Sequence, residues 1–300
     1  MLLVSLVIAF ILYNRFKTNQ RLNAELLNKN DELSQKNALI ENQKEKIIDN
    51  ITYAKRIQQS ILVDEKVIQS YLPNLFIYYL PKDIVSGDFY WCSKIDDNII
   101  LAAIDCTGHG VSGAFMSMIG NTLLNQIVNE KHITTPSEIL RLLNIAVYEG
   151  MNQGKEEGII VRDGMDMSLC TINYKTKQLQ FAGAQNALYL INNGQLEIIK
   201  GDMHSIGGRE SNVDPYKEKY TNHVISITEN MSIYLFSDGY MDQFGGSNRK
   251  KFGMQQFKEL ILDSRHLTIQ NQKEKFISTH IEWKRNESQI DDILVIGVQM

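Results

Sequence analysis

The sequence predicts a mixed α+β sandwich preceded by a long helix. Short apolar stretches with hairpin signals recur from Leu75 to Gln299. Two pairs of helical patterns interrupt them, near residues 112–147 and 254–283. Residues 14–62 contain neither Pro nor Gly. Strands clustered with paired helices argue against an alternating, doubly wound parallel sheet.

The 300 residues are 43% hydrophobic and 22% charged, an ordinary globular composition with room for one large domain and extensions. A net charge of -4 gives no sign of the basic face a nucleic-acid-binding domain carries, and no nucleic-acid partner is expected. Cys92, Cys106 and Cys170 are odd in number and far apart. They fit neither a zinc site nor a disulfide framework and suit a reducing compartment.

Leu2 to Tyr13 carries no charge, and Arg15, Lys17 and Arg21 follow directly. Cations in that position mark the cytoplasmic flank of a membrane segment. Twelve helical residues span ~18 Å, short of a ~30 Å hydrocarbon core. Residues 1–16 therefore read as the end of a transmembrane helix whose start is either truncated or misassigned, holding the rest of the chain at the membrane on the cytoplasmic side; a buried core helix is the alternative.

In residues 17–62, Leu26, Leu33, Ile40, Ile47, Ala54 and Ile61 recur every seven residues, one seam of a coiled coil. The companion seam is polar: Asn23, Asn30, Asn37 and Lys44, then Ile51 and Gln58. Such a helix can pair without being locked into pairing, so a homodimer through residues 22–61 is expected, with a solvated single helix as the alternative. Apolar residues thicken after Ile47, which predicts that the last two turns dock on the domain of residues 63–300.

From Leu75 the period changes. Strands are predicted at Leu75–Leu80, Asp88–Lys94 and Ile99–Asp105, the last a run apolar enough to be buried on both faces. A helix follows from about Ser112 to Asn129, with Phe115, Met118, Ile119 and Leu123 on one stripe. A second starts with Thr135 as cap, Pro136 in first position and Glu138 three residues on. Residues 150–165 read as a loop. Strands return at Met167–Tyr174, Leu179–Ala184, Leu188–Ile191, Glu197–Lys200, His223–Ile227 and Ser232–Ser237, with a hairpin turn at Asn193–Gly194. Gly201 to Asn222 reads as a polar flap. Helices at Met254–Asp263 and Leu267–Trp283 and a strand at Ile293–Gln299 complete the chain.

Acidic residues stand at the ends of several of these strands. Asp105 ends an apolar strand before Gly108, and Asp238 ends another before Gly239. Asp291 and Asp292 open the last strand, and Asp88 heads an aromatic one. A lone strand-end Asp commonly bonds its own turn backbone. Carboxylates at four strand ends are what an oxygen-ligand cation site needs.

Seven motifs in order, AKRIQQSIL, PKDIVSGDFYW, DCTGHGVSGAFMSMIG, DMSLCTINY, FAGAQNALYLI, SDGYMD and DDILVIGV, resemble those of metal-dependent type 2C-like serine/threonine phosphatases. The branch they most resemble is that of stage II sporulation protein E, over residues 54–300. The resemblance implies a four-layer α-β-β-α sandwich of two antiparallel sheets, with metals at one edge. It implies that Asp88, Asp105 and the backbone carbonyl of Cys106 hold a first Mn²⁺ or Mg²⁺, and that Asp105, Asp238 and Asp291 hold a second. Asp242 and Asp292 resemble positions serving a third, weaker ion or the outer shell. The implied activity is phosphoserine/phosphothreonine hydrolysis on a small partner protein, such as an anti-anti-sigma-like domain, under control of the N-terminal helix.

The chain also departs from that pattern. Cys106 stands where eukaryotic relatives have Gly, which a carbonyl ligand tolerates only if the backbone keeps φ below zero. His109 matches no catalytic His of those relatives and reads equally as a turn residue. No Arg matches their phosphate-binding position; Lys82 and Arg209 are weak substitutes that read better as surface residues. Phe89, Tyr90 and Trp91 read as strand packing, and Met116, Met118, Met165 and Met167 as core fillers. Two rivals remain: a non-catalytic scaffold of the same fold, and a sensor histidine kinase. The second lacks a phosphorylatable His in residues 47–62 and has no nucleotide-binding glycine boxes.

Overall fold

The structure, a computed structural model, describes residues 2–152, 163–207 and 214–300. It forms two compact units, Met1–Tyr53 and Ala54–Met300.

The first unit lies within α1 (Leu2–Ile61), a helix without a break, as the lack of Pro and Gly predicts. Residues 2–50 are all exposed, and the seam residues Leu26, Leu33, Ile40 and Ile47 face solvent with the rest. The helix is long and apolar enough near its start to cross a membrane, by length and composition.

The second unit begins with the last two turns of α1. A short helix follows, α2 (Glu65–Tyr71), whose cap Asp64 accepts a bond from the Lys66 N–H at 2.8 Å. The chain then builds β1 (Leu75–Leu80), β2 (Phe89–Ile95), β3 (Asn98–Cys106) and α3 (Gly110–Leu124), which continues as π-helical turns to Glu130. Next come α4 (Pro136–Asn152), β4 (Gly164–Asn173), β5 (Gln178–Ala184), β6 (Leu188–Asn192), β7 (Gln195–Ile199), β8 (Ile206–Gly207) and β9 (His223–Ser226). The rest comprises β10 (Ser232–Phe236), α5 (Gly239–Asp242), β11 (Phe244–Gly245), β12 (Lys250–Lys251), α6 (Gly253–Ser264), α7 (Ile269–Lys284) and β13 (Ile293–Gln299).

Among the described residues two large antiparallel sheets result, beside the small β11–β12 hairpin. One has the order β1-β13-β10-β6-β7; the other β2-β3-β4-β5-β9, with β8 on β4. Alternation along β3 explains its unbroken apolar run. Ile100, Ala102 and Ile104 join a core under α3 and α4, whereas Ile99, Leu101 and Ala103 join the core between the sheets. A third core packs α6 and α7 on the first sheet through Tyr234, Phe257 and Phe276. The layers are thus α-β-β-α, as expected. Asn193 and Gly194 both take positive φ, 49° and 77°, in the turn joining β6 to β7.

Four local expectations need correction. Of the stripe Phe115, Met118, Ile119 and Leu123, Leu123 packs against the core while Phe115 and Ile119 are exposed. Phe115 is 63% exposed, and the buried stripe is Gly113, Ala114, Met116, Ser117, Gly120, Asn121 and Leu124. Close approach selects the small residues: a Cβ on Gly120 would stand 3.0 Å from the Phe89 ring. Glu138 does not turn back to its cap but pairs with Arg141 at 2.6 Å. Helices α2 and α5 were not foreseen. The flap of residues 201–222 contains a strand, β8; its centre, with Arg209, lies outside the described residues, as does most of the loop of residues 150–165.

Candidate metal centre

Three neighbouring strands present a carboxylate each at one end of a sheet. Phe89 pairs with Ile104, so the next step places Asp88 beside Asp105, and Asp105 pairs with Asp166. Phe89, Ile104 and Met167 point under the helices. Their neighbours Asp88, Asp105 and Asp166 therefore face the gap between the sheets.

The other sheet answers from the opposite side. The Leu294 N–H donates to Ser237 Oγ at 3.1 Å, and the Ser237 N–H to the Leu294 carbonyl at 3.0 Å, which aligns the end of β10 with the start of β13. Gly239 lies against the Asp292 carbonyl so closely that no Cβ fits. That approach sets Asp238 beside Asp291. The Asp238 N–H points back at Asp105 Oδ2, 3.5 Å away, across the gap between sheets. One turn of α5 then places Asp242, whose N–H donates to the Asp238 carbonyl at 2.9 Å.

The electrostatics follow from this crowding. Asp88 is 3% exposed and its Oδ2 has no hydrogen-bond partner. Burial, then the charge of Asp105, push its carboxyl well above the usual range, against a bond from the Ser237 hydroxyl. Burial and the charge of Asp238 push Asp105 up to about 8. Asp238 reaches solvent at the rim and rises less, to about 6, through lost solvation and the charges of Asp242 and Asp291. Burial also raises Asp166, against a bond from the Ser205 hydroxyl. Buried carboxylates stay charged only with a cation or enough hydrogen-bond donors beside them, and the Asp88 Oδ2 has neither. An all-oxygen donor set with an unpartnered buried oxygen fits Mg²⁺ or Mn²⁺. Among the described residues, no three His, Cys, Asp or Glu side chains yet converge as closely as a bound ion requires. Like charges at this spacing repel one another.

A second layer holds the Asp88 loop. Both Asp292 oxygens accept backbone bonds, from the Lys82 N–H at 2.7 Å and the Gly87 N–H at 2.8 Å. The Tyr79 hydroxyl donates to the Asp88 carbonyl at 3.0 Å. Gln58 on α1 binds Ser86 through both ends of its amide and also reaches Ser117 on α3. Gly87 and Gly113 meet almost backbone to backbone beside the Gly108 carbonyl. His109 Nδ1 lies 2.8 Å from Asp83 Oδ2, both half exposed, tying the two loops together. Cys106 ends β3 without positive φ, so its carbonyl meets the condition for a ligand. Burial drives its thiol well above the usual range.

The stage II sporulation protein E (SpoIIE) family matches residues 95–300. The chain belongs to this family. SpoIIE-type domains are metal-dependent phosphatases of the type 2C fold. Among solved structures, the PP2C domain of SiaA from Pseudomonas aeruginosa is similar at 28% identity and a TM-score of 0.76, covering 86% of this chain and 98% of that one. The phosphatase domain of SpoIIE from Bacillus subtilis, with a fragment of its regulatory domain, shares the fold at 16% identity and a TM-score of 0.58, covering 76% and 63%. RsbX in complex with magnesium shares it at 14% identity and a TM-score of 0.51, covering 75% and 94%. No curated protein matches the chain.

The structure of this SpoIIE-family chain brings Asp88, Asp105, Asp238 and Asp291 to one end of the sandwich. Asp242 and Asp292 lie around them, Asp242 at the rim and Asp292 turned to the loop backbone. Lys82 takes part through its N–H. Phe89 and Trp91 pack in the core, as expected. Sequence reading missed Asp166, Gln58 and Lys251. Asp166 stood inside a quoted motif, and its signal was a carboxylate at a core-facing position of a strand. Lys251 pairs with Asp242 at 2.7 Å, and only the hairpin β11–β12 brings it there.

Proposed function

We propose that this chain hydrolyses phosphoserine and phosphothreonine on a partner signalling protein, using water activated by two divalent ions, Mn²⁺ or Mg²⁺. The observation that carries this reading is the strand-end cluster Asp88, Asp105, Asp238 and Asp291, with the buried Asp88 Oδ2 left without a hydrogen-bond partner. Asp88, Asp105 and the Cys106 carbonyl would hold one ion; Asp105, Asp238 and Asp291 the other. Bound there, the ions acidify a water and neutralise the phosphoryl charge. Asp292, with both oxygens on backbone N–H groups, orients the Asp88 loop from outside. No protein nucleophile is needed, and the buried Cys92, Cys106 and Cys170 thiols are all pushed towards the neutral form.

The same reading makes the substrate a small phosphoprotein of a partner-switching cascade, such as an anti-anti-sigma-like domain. It tethers the catalytic unit to the cytoplasmic face of a membrane through residues 2–13. Control passes through α1, in a homodimer along residues 22–61. The support is Gln58, which sits on the polar seam of the heptad pattern and bonds the loop that carries Asp88. Inserting two residues near Gln43 shifts that seam and should change activity; unchanged activity contradicts the control.

The test is phosphate release from a phosphoserine peptide by the full chain. Turnover that requires Mn²⁺ or Mg²⁺ and stops with a chelator supports the reading. Metal binding without turnover towards any phosphopeptide favours a scaffold.

A further inference from the structure

The strand-end cluster is strongly acidic, yet a cation is built into its rim. The Lys251 ammonium lies 2.7 Å from Asp242 Oδ2. Lys251 is not a freely swinging surface lysine at its root. It sits on β12, where it pairs with Phe244 of β11. The next residue, Phe252, is buried, packs edge-on against Tyr240 and Trp283, and donates its N–H to the Gln243 carbonyl at 2.9 Å. Gln243 is fully buried, and its amide bonds the Phe244 and Ser288 carbonyls at 2.9 and 3.0 Å. The Trp283 indole donates to the same Gln243 carbonyl, at 3.0 Å. Gly245 lies against the Trp283 backbone with no room for a Cβ. The hairpin is thus bolted to the third core and holds its lysine over Asp242.

We propose that the Lys251 ammonium takes, beside Asp242, the place of a third cation, so that this chain works with two divalent ions and one lysine. The proposal rests on the two-metal reading above. An ammonium bonded to Asp242 repels a divalent ion brought to the same carboxylate, which weakens any ion site there. A lysine delivers that charge at any metal concentration. A weak ion site does so only when free metal is abundant.

The test counts ions. Equilibrium dialysis of the full chain against Mn²⁺, with bound metal measured by atomic absorption, reads the stoichiometry directly. The proposal predicts two ions for the wild type, three for Lys251→Met, and two again for Lys251→Met combined with Asp242→Asn. Lys251→Arg keeps the charge and stays at two. Circular dichroism confirms that the variants are folded; Lys251 is half exposed, so its truncation leaves the core intact. Three ions on the wild type, or two on Lys251→Met, overturn the lysine's role and leave the two-metal reading standing. A wild type that binds no Mn²⁺ overturns both.

Discussion

Gln58 grips Ser86 from both sides: its Nε2 donates to the Ser86 carbonyl at 2.6 Å, and its Oε1 accepts from the Ser86 N–H at 3.1 Å. The same Nε2 lies 2.9 Å from Ser117 Oγ on α3. One side chain near the end of α1 therefore holds the residue two before Asp88. Gln58→Ala leaves the buried Ser86 N–H and carbonyl unpaired, at a cost of ~1–3 kcal/mol. The melting temperature should fall, and half-saturation by Mn²⁺ should rise several-fold. A loss of stability with unchanged metal affinity would show that Gln58 only packs.

Gly239 is the pivot between Asp238 and Asp291, in backbone contact with Asp292. Gly239→Ala must push the two strand ends apart, an overpacking that costs ~1–3 kcal/mol. Its kcat should fall far more than its stability suggests, because both displaced residues are proposed ligands of one ion. Thermal melts read beside Mn²⁺-dependent turnover separate the two effects. Turnover that drops only in proportion to the folded fraction contradicts the pivot role.

Asp292 accepts two backbone bonds with its two oxygens. Asp292→Asn keeps the shape but turns one acceptor into a donor facing an N–H. The unpaired group costs ~1–3 kcal/mol, and the Asp88 loop loosens. Hydrogen exchange of the Gly87 amide should speed up, and Mn²⁺ affinity should fall. Protection of that amide equal to wild type would remove Asp292 from the account.

Proton and metal compete for Asp105. Without metal its carboxyl is raised from 3.8 to about 8. A raised carboxyl stabilises the fold fully below its unfolded value and loses that contribution as pH climbs through the folded one. Asp238, raised from 3.8 to about 6, acts in the same sense over a lower window. Buried His280, lowered from 6.5 to about 4, acts in the opposite sense up to its ordinary value. The melting temperature of the metal-free protein should therefore fall between pH 6.5 and pH 8, and the rise on adding Mn²⁺ should grow over the same range. A metal-free melting temperature independent of pH in that window would contradict the crowding of these carboxylates.

Much of this was legible in the sequence, for identifiable reasons. β1 and β13 match their expected bounds because apolar runs bordered by Pro81 and by Asp291–Asp292 have sharp ends. Asp88, Asp105, Asp238 and Asp291 were visible because each breaks an apolar strand. The α3 stripe was misread because hydrophobic pattern cannot show that backbone must come close: Gly113 and Gly120 face inward, and Phe115 is left outside. Asp166 was overlooked because its strand was expected to start at Met167, and only cross-strand register sets it opposite Asp105. Gln58 was placed on the polar seam of a helix, and nothing local distinguishes a solvated glutamine from one that bonds a loop 28 residues away. Lys251 is far less conspicuous in sequence than in space, where a hairpin folds it back nine residues onto Asp242.

The central claim is that the strand-end carboxylates form one metal-dependent hydrolytic centre. The most direct measurement is aryl phosphate hydrolysis by the full chain across a Mn²⁺ titration, with Asp105→Asn run alongside and bound Mn²⁺ counted in both. Asp105 is the one residue proposed to touch both ions. The account predicts saturable Mn²⁺-dependent turnover in the wild type, and loss of turnover with loss of bound metal in the folded variant. Turnover in Asp105→Asn equal to wild type, or activity independent of added metal and chelator, would contradict it.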